Sequence, residues 1–321
     1  MEKRILENKT TIEIEPKAPY NFDANFHKPS HFPSSDNIWE KGKYWITMVW
    51  QDEKLGLKFE NVGTIDKPKM KINIYSQKEL SAEFIDNLIP EIRWRFNFDQ
   101  EISEFCEKVK DDKILGPIIK KCRGMKPIAA NSFYEALIIY FVLQNAPVRR
   151  SVQMLENLFN KLGEKVEFDN KTLSIFWDPK KIKTTEQELR ELKIGYRAKF
   201  ILKLTEQFAK GEVDEFKLRK EKEKEVKQKA LELYGIGPAS VEYLLFEDFY
   251  FLDALETIPP WEQKIMSKLL FNKESVPIEK ILNFFKKFKG YEKLAFHYIW
   301  EDIFWKRKHE HIEWLEKEIR L

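Results

Sequence analysis

Gly235 and Gly237 stand one residue apart in the run Leu233-Tyr234-Gly235-Ile236-Gly237-Pro238-Ala239-Ser240, and their spacing carries the most specific chemistry in the chain. Glycines so placed let the backbone turn tightly and leave successive amides uncovered by side chains. Beside a helix that starts near Pro238, such amides favour an anion, and a phosphodiester oxygen suits them. Ile236 anchors the turn between the glycines. Gly235, Ile236, Gly237, Ala239 and Ser240 are therefore the candidate contacts to a phosphate backbone. The same spelling also serves a glycine-closed helix followed by a proline-started one.

Three further groups of residues bear on chemistry. Asp253 and Glu256 lie in the loop just downstream, while Glu262, at the third position of the next helix, is expected to cap a free amide. Gln144 and Asn145 precede Pro147 and are followed by Arg149 and Arg150; the amides either cap a helix end or reach outward to hydrogen-bond a ligand. Arg149, Arg150, Lys199 and Lys203 suit phosphate contacts as well as they suit solvated surface. Trp261, Tyr196 and Tyr243, with Trp300, Trp305 and Phe304, offer faces for a flat aromatic ligand, although Trp300 and Phe304 also fit a core stripe. The His residues show no metal spacing, and the two cysteines, Cys106 and Cys122, cannot supply a four-thiolate site.

The elements that must position these residues fall into two regimes. Up to about residue 80, runs such as Trp45-Ile46-Thr47-Met48-Val49-Trp50 and Met70-Lys71-Ile72-Asn73-Ile74-Tyr75 alternate between Gly and Pro breaks, which predicts an antiparallel β-rich domain over 1–80. From 81 to 321 the period is helical, with Phe84, Leu88, Ile89 and Ile92 on one stripe. Val226, Ala230 and Leu231 before the glycines, and Val241, Leu244 and Leu245 after them, make two amphipathic arms, so a helix-hairpin-helix spans about 224–246. The fold class is α+β: a β-rich domain followed by two mainly α-helical subdomains. The 321 residues allow this much structure, and a net charge of +3 leaves any basic surface to be made locally. No apolar run is long enough to span a bilayer, and the first residues lack the apolar core of a signal peptide, so a soluble cytoplasmic protein is expected.

With its downstream loop, the hairpin resembles the helix-hairpin-helix DNA glycosylase superfamily, in the branch that holds alkyladenine and oxoguanine glycosylases. Leu192-Lys193-Ile194-Gly195-Tyr196-Arg197-Ala198-Lys199 is similar to the Gly-Tyr-Arg-Ala turn of that branch. Leu143-Gln144-Asn145, with Arg149 and Arg150, sits where the branch carries residues that fill the hole left by an everted base. The resemblance implies a protein that flips a damaged purine, alkylated or deaminated, from duplex DNA and hydrolyses its N-glycosidic bond. Base chemistry requires extrusion from the stack, and a wedged side chain offsets part of that loss.

Two departures from the family pattern matter. Pro259 occupies the position expected to hold the catalytic aspartate, which leaves Asp253 and Glu256 as the nearest upstream carboxylates. Ala239 stands where bifunctional members place a nucleophilic lysine, so the resemblance implies a monofunctional enzyme in which water attacks. Two alternatives stay open: a catalytically silent lesion-binding protein on the same scaffold, and a bifunctional oxoguanine glycosylase/lyase with a lysine from elsewhere. The implied partner is double-stranded DNA with a damaged base, bound by a monomer in a prokaryotic cytoplasm, at the nucleoid. No metal or cofactor is expected, apart from a monovalent cation at the hairpin backbone.

Overall fold

The computed structural model describes residues 3–319 apart from 29 and 32. Strands β1 (Lys3–Ile5), β2 (Asn8–Ile14), β3 (Asn37–Glu40), β4 (Lys43–Trp50), β5 (Glu53–Asn61) and β6 (Met70–Ser76) occupy the N-terminal part, and β7 (Glu164–Phe168) and β8 (Lys171–Ile175) come much later. A five-stranded antiparallel sheet runs β2-β6-β5-β4-β3. Alternate residues of its strands, among them Ile46, Met48, Leu57, Phe59, Ile72 and Ile74, bury one face against Ile85, Leu88 and Ile92 of helix Ala82–Arg95.

The other face is covered by an element that the reading of 81–321 as helical overlooks. β7 and β8 form a hairpin whose two turn residues, Asp169 and Asn170, have φ of 47° and 59°. Positive φ at both centres gives a turn whose twist matches that of the strands, and Asp and Asn tolerate it. β1 adds in parallel to β7, and Val166, Phe168, Leu173 and Ile175 pack on Trp45 and Tyr75 of the large sheet. Gly56 in β5 makes this possible, since a Cβ there would lie 2.4 Å from the Phe168 ring.

The helices build two cores. One gathers helices Phe133–Leu143, Val148–Leu162, Arg197–Ala209, Glu223–Leu231 and Pro238–Glu247, through residues such as Leu137, Leu158, Ile201, Val226 and Leu244. The other joins helices Ser103–Val109 and Leu115–Cys122 to Pro260–Phe271, Ile278–Phe285 and Glu292–Arg307. The chain thus leaves the second core after Met125 and re-enters it at Phe246, with all of the first core but Phe249 and Ala254 inserted between. Helix Pro238–Glu247 is shared, giving Val241, Leu244 and Leu245 to the first core and Phe246 to the second. Phe304 joins Ile265, Ile303 and Leu315 in a small C-terminal cluster.

A buried ion network ties the sheet domain to the first helical unit. Glu91 takes Arg95 at 2.6 Å and Arg219 at 2.9 Å. Burial alone would raise the Glu91 carboxyl, but the two guanidiniums overcome it and hold it at about 2.

Candidate nucleic-acid interface

The glycine run closes helix Glu223–Leu231 and opens helix Pro238–Glu247. Leu233 and Ile236 are buried, and the Ile236 amide donates to the Leu233 carbonyl at 3.1 Å, which tightens the turn. Gly235 has φ +89°, and a Cβ there would meet the Phe200 ring at 2.8 Å. Gly237 is different. It has extended backbone (φ −109°), and a Cβ would find nothing within 4 Å. Its helix start carries no side-chain cap; Pro238 has no amide to offer and the Ser240 amide turns to the Gly237 carbonyl, so the Ala239 amide is the first-turn donor left to an external acceptor. The Leu233 and Gly235 carbonyls each accept one protein donor and keep a second lone pair, which a monovalent cation at this turn would use, whereas the Gly237 carbonyl accepts both Ser240 and Val241 amides.

The amide pair expected to reach outward is brought to this turn. Gln144 Nε2 donates to the Gly235 carbonyl at 3.2 Å, and exposed Asn145, in left-handed backbone at φ 49°, donates to the Tyr196 hydroxyl at 3.4 Å. Arg197 holds them there. Its buried guanidinium donates to the Phe141 carbonyl at 2.8 Å and to the Gln144 carbonyl, closing the end of helix Phe133–Leu143. It also stacks 4.7 Å from the Tyr196 ring. Arg149 is exposed on the next helix, Arg150 hydrogen-bonds Gln153 and the Lys193 carbonyl, and Lys203 pairs with Glu206 at 3.0 Å. Lys199 lies 5.5 Å over the Tyr234 ring beside the turn. Ser240 is half-buried in the first turn of helix Pro238–Glu247, and the side chain of Ala239 is outside those described.

The aromatic residues expected to hold a base separate into different neighbourhoods. Tyr196 joins the amide pair, as above. Tyr243 faces Tyr140 with ring centroids 6.5 Å apart, and Trp261 sets edge to face on Trp300 at 5.1 Å. Trp305 stands instead near His27. Among the described residues no ring pairing joins Tyr196, Tyr243 and Trp261.

Asp253 and Glu256 lie exposed on their loop. Glu256, 62% exposed, is paired with Lys227 of the first hairpin helix. Both carboxylates face Glu223 on the same helix, whose own carboxyl is raised by burial and by their charge. The loop is pinned by the Leu252 carbonyl, which accepts the Lys293 and Leu294 amides at 2.9 and 3.0 Å.

Behind this rim lies a seam of buried polar groups. Glu262 makes no capping bond, because the helix is capped by Pro259, which has no N–H to offer; the carboxyl is turned inward instead, with the residue 2% exposed. Burial raises it to about 7, Lys293 working against the shift and Glu242 adding to it. Glu242 is 4% exposed and neither of its carboxyl oxygens has a hydrogen-bond partner. Lys293 Nζ lies 5.0 Å over Tyr243. One turn on, His297 Nδ1 is 3.7 Å from Glu247, Lys28 Nζ is 3.5 Å from the same carboxylate, and Glu301 bonds Ser30. Burial holds His297 neutral, its pKa well below 6.5, and raises Glu301 to about 7. Sequence reasoning missed this seam since its partners come from separate elements: Lys293, His297 and Glu301 from helix Glu292–Arg307, Glu242 and Glu247 from helix Pro238–Glu247, and Glu262 from helix Pro260–Phe271. The spacing Lys293, His297, Glu301 along one stripe was the available signal.

No family model matches the sequence. Over 251 residues the chain is 21% identical to DNA-3-methyladenine glycosylase of Bacillus subtilis (strain 168), covering 73% of this chain and 82% of that one. The structure is similar to 3-methyladenine DNA glycosylase from Archaeoglobus fulgidus, with a TM-score of 0.72 at 17% identity, over 91% of this chain and 98% of that one. It is also similar to 8-oxoguanine glycosylase/lyase of Clostridium acetobutylicum, with a TM-score of 0.67 at 18% identity, over 94% and 99% of the two chains.

Proposed function

On a chain with the fold of the helix-hairpin-helix DNA glycosylases, we propose a base-excision repair enzyme that everts a damaged purine, alkylated or deaminated, from duplex DNA and hydrolyses its N-glycosidic bond. One observation carries the reading: the Gln144 side chain reaches the Gly235 carbonyl, so the amide pair and the phosphate-binding turn share one face. A phosphate oxygen is taken by the Ala239 amide at the helix start, the Ser240 hydroxyl and the guanidiniums of Arg149 and Arg150 flank it, and Gln144 and Asn145 fill the gap in the stack. That filling offsets part of an unstacking cost of roughly a few kcal/mol. Tyr243, Trp261 and Tyr196 supply aromatic faces toward the base and the strand.

Cleavage builds positive charge on the sugar, so a carboxylate must stand beside it. Asp253 and Glu256 are the loop carboxylates read from the sequence for this role. Ala239 brings no amine to the position that a lyase uses, which favours a monofunctional hydrolase. The second reading, a silent lesion-binding protein, is favoured by Pro259 and by the Lys227 partner of Glu256. Incubation with duplexes carrying one methyladenine, hypoxanthine or oxoguanine, followed by alkaline cleavage of abasic sites, separates them. Release from methyladenine or hypoxanthine is expected, binding with no release supports the silent protein, and a borohydride-trapped adduct would assign a lyase.

A further inference from the structure

Asp253 and Glu256 are open to water, where the attraction of a carboxylate for a positive charge developing on the sugar is screened. The buried carboxyls behind them have the opposite character. Glu242 comes from the second hairpin helix and Glu262 from the first turn of the helix after the loop, so the two flank Pro259 from both sides in sequence. They are near enough for the charge of Glu242 to act on Glu262. Lys293, at the start of helix Glu292–Arg307, faces Glu262 from a third element. From the first hairpin helix, Lys227 and Glu223 feel Glu242 as well, and Asp253 and Glu256 complete the surroundings at the solvent rim.

Burying a carboxyl without a hydrogen-bond partner is costly, and more so for a charged group than for a neutral one. Glu242 bears that cost at both oxygens. An apolar side chain of similar size would fill the site without it. Unmet hydrogen-bonding capacity beside a second, coupled carboxyl and a buried amine is the condition of a site that awaits a reacting group. Glu242 is five residues past Gly237, about 7.5 Å along the helix axis, near enough for an everted nucleotide of a strand held at the turn to reach it. Half-buried Tyr243 is next to Glu242 in the chain and exposed Trp261 is next to Glu262.

Resting on the function proposed above, we propose that Glu242 and Glu262 are the reacting carboxylates of this chain, in place of the aspartate absent at Pro259. Glu242 accepts a proton from water as the water oxygen bonds to C1′ of the sugar. The C1′–N bond breaks, its electron pair leaves with the purine, and Glu262 gives that purine its own proton. The pair ends with the proton on Glu242 instead of Glu262, and one shift between the carboxyls resets it. Lys293 balances their charge and so sets how readily Glu262 lets go.

The test uses the full chain and whichever lesion duplex it cleaves. Glu242→Gln and Glu262→Gln keep side-chain shape and remove the proton chemistry. Each is expected to slow base release by about 10²-fold or more, with affinity for a duplex carrying an abasic analogue within about threefold of wild type. Wild-type release should fall as pH rises through about 7, where Glu262 loses its proton, and Glu262→Gln should lack this limb. A merely structural role would not move the pH profile. Release retained by both variants, or by them while Asp253→Asn and Glu256→Gln abolish it, overturns this assignment and leaves the proposed function standing. No release by wild type from any lesion overturns that function and this assignment together.

Discussion

Gly235→Ala and Gly237→Ala form a pair that separates folding from binding at one turn. At Gly235 the left-handed φ of +89° costs an alanine about 1–2 kcal/mol. The new methyl would also lie 2.8 Å from the Phe200 ring and 3.2 Å from Phe141, a clash in a packed region worth about 1–3 kcal/mol. Gly235→Ala should therefore lose about 2–5 kcal/mol of stability. Gly237→Ala meets neither penalty, because its backbone is extended and no atom lies within 4 Å of the new carbon. A loss of capping preference opposes an entropic gain of about 0.4–1 kcal/mol, so stability should shift by under about 1 kcal/mol. The same methyl projects into the open space in front of the turn, where a phosphate held there would lie. Displacing one charge-assisted hydrogen bond to phosphate, worth about 1.5–3 kcal/mol, weakens DNA binding roughly ten- to a hundredfold, equally for damaged and intact duplexes. Urea unfolding and fluorescence anisotropy on the two variants read these quantities separately. Unchanged affinity in Gly237→Ala, or a destabilisation matching that of Gly235→Ala, would refute the assignment of the open glycine to phosphate.

Three further outcomes follow from buried charge. Glu91 is held at about 2 against an ordinary 4.5, so its contribution of about 3 kcal/mol is full above pH 4.5 and is lost as pH falls toward 2. Glu91→Gln should flatten the acid limb of a stability–pH curve, and an unchanged limb would contradict it. Arg197→Met removes the charged donor from the Phe141 and Gln144 carbonyls, leaving Phe141 only a share of the Gln144 amide, and should cost about 2–4 kcal/mol in urea unfolding while reducing preference for lesion over intact duplex. Glu242→Met removes an unpartnered buried carboxyl and should raise stability by about 1–3 kcal/mol while abolishing base release; a destabilisation of that size in a thermal melt would count against it.

Much of the scaffold was legible because it obeys local periods. The alternation in Trp45 to Trp50 and in Met70 to Tyr75 is a period of two and became β4 and β6. The glycine run announced its turn by φ requirements that only glycine meets cheaply. The β7–β8 hairpin was legible too, in the alternation around Asp169-Asn170, but it lay inside a span read at helical period. Gln144 and Asn145 were found by resemblance, and their contact with Gly235 and Tyr196 depends on Arg197, whose role no local pattern reveals. The carboxyl seam was hidden for a different reason. A glutamate on a helix is written the same way whether it faces water or a neighbour's lysine, and Glu242, Glu262 and Lys293 meet only after three distant elements pack.

The insertion of one helical core within the other sets an order of assembly on the ribosome. Every residue of the inserted core, from Phe133 to Ala254, has been made before the second core receives its last contributors at Tyr298 and Ile299. The inner unit can settle while the outer one is still an open pair of helices with its apolar faces uncovered. Until the C-terminal third emerges, Ile102, Phe105, Ile118 and Ile119 lack the cover of Phe246, Met266, Ile281, Phe285 and Tyr298. A nascent chain stalled near residue 255 would therefore present a finished hairpin beside a sticky, unfinished surface, and this stretch is where the protein would most depend on chaperones during its synthesis.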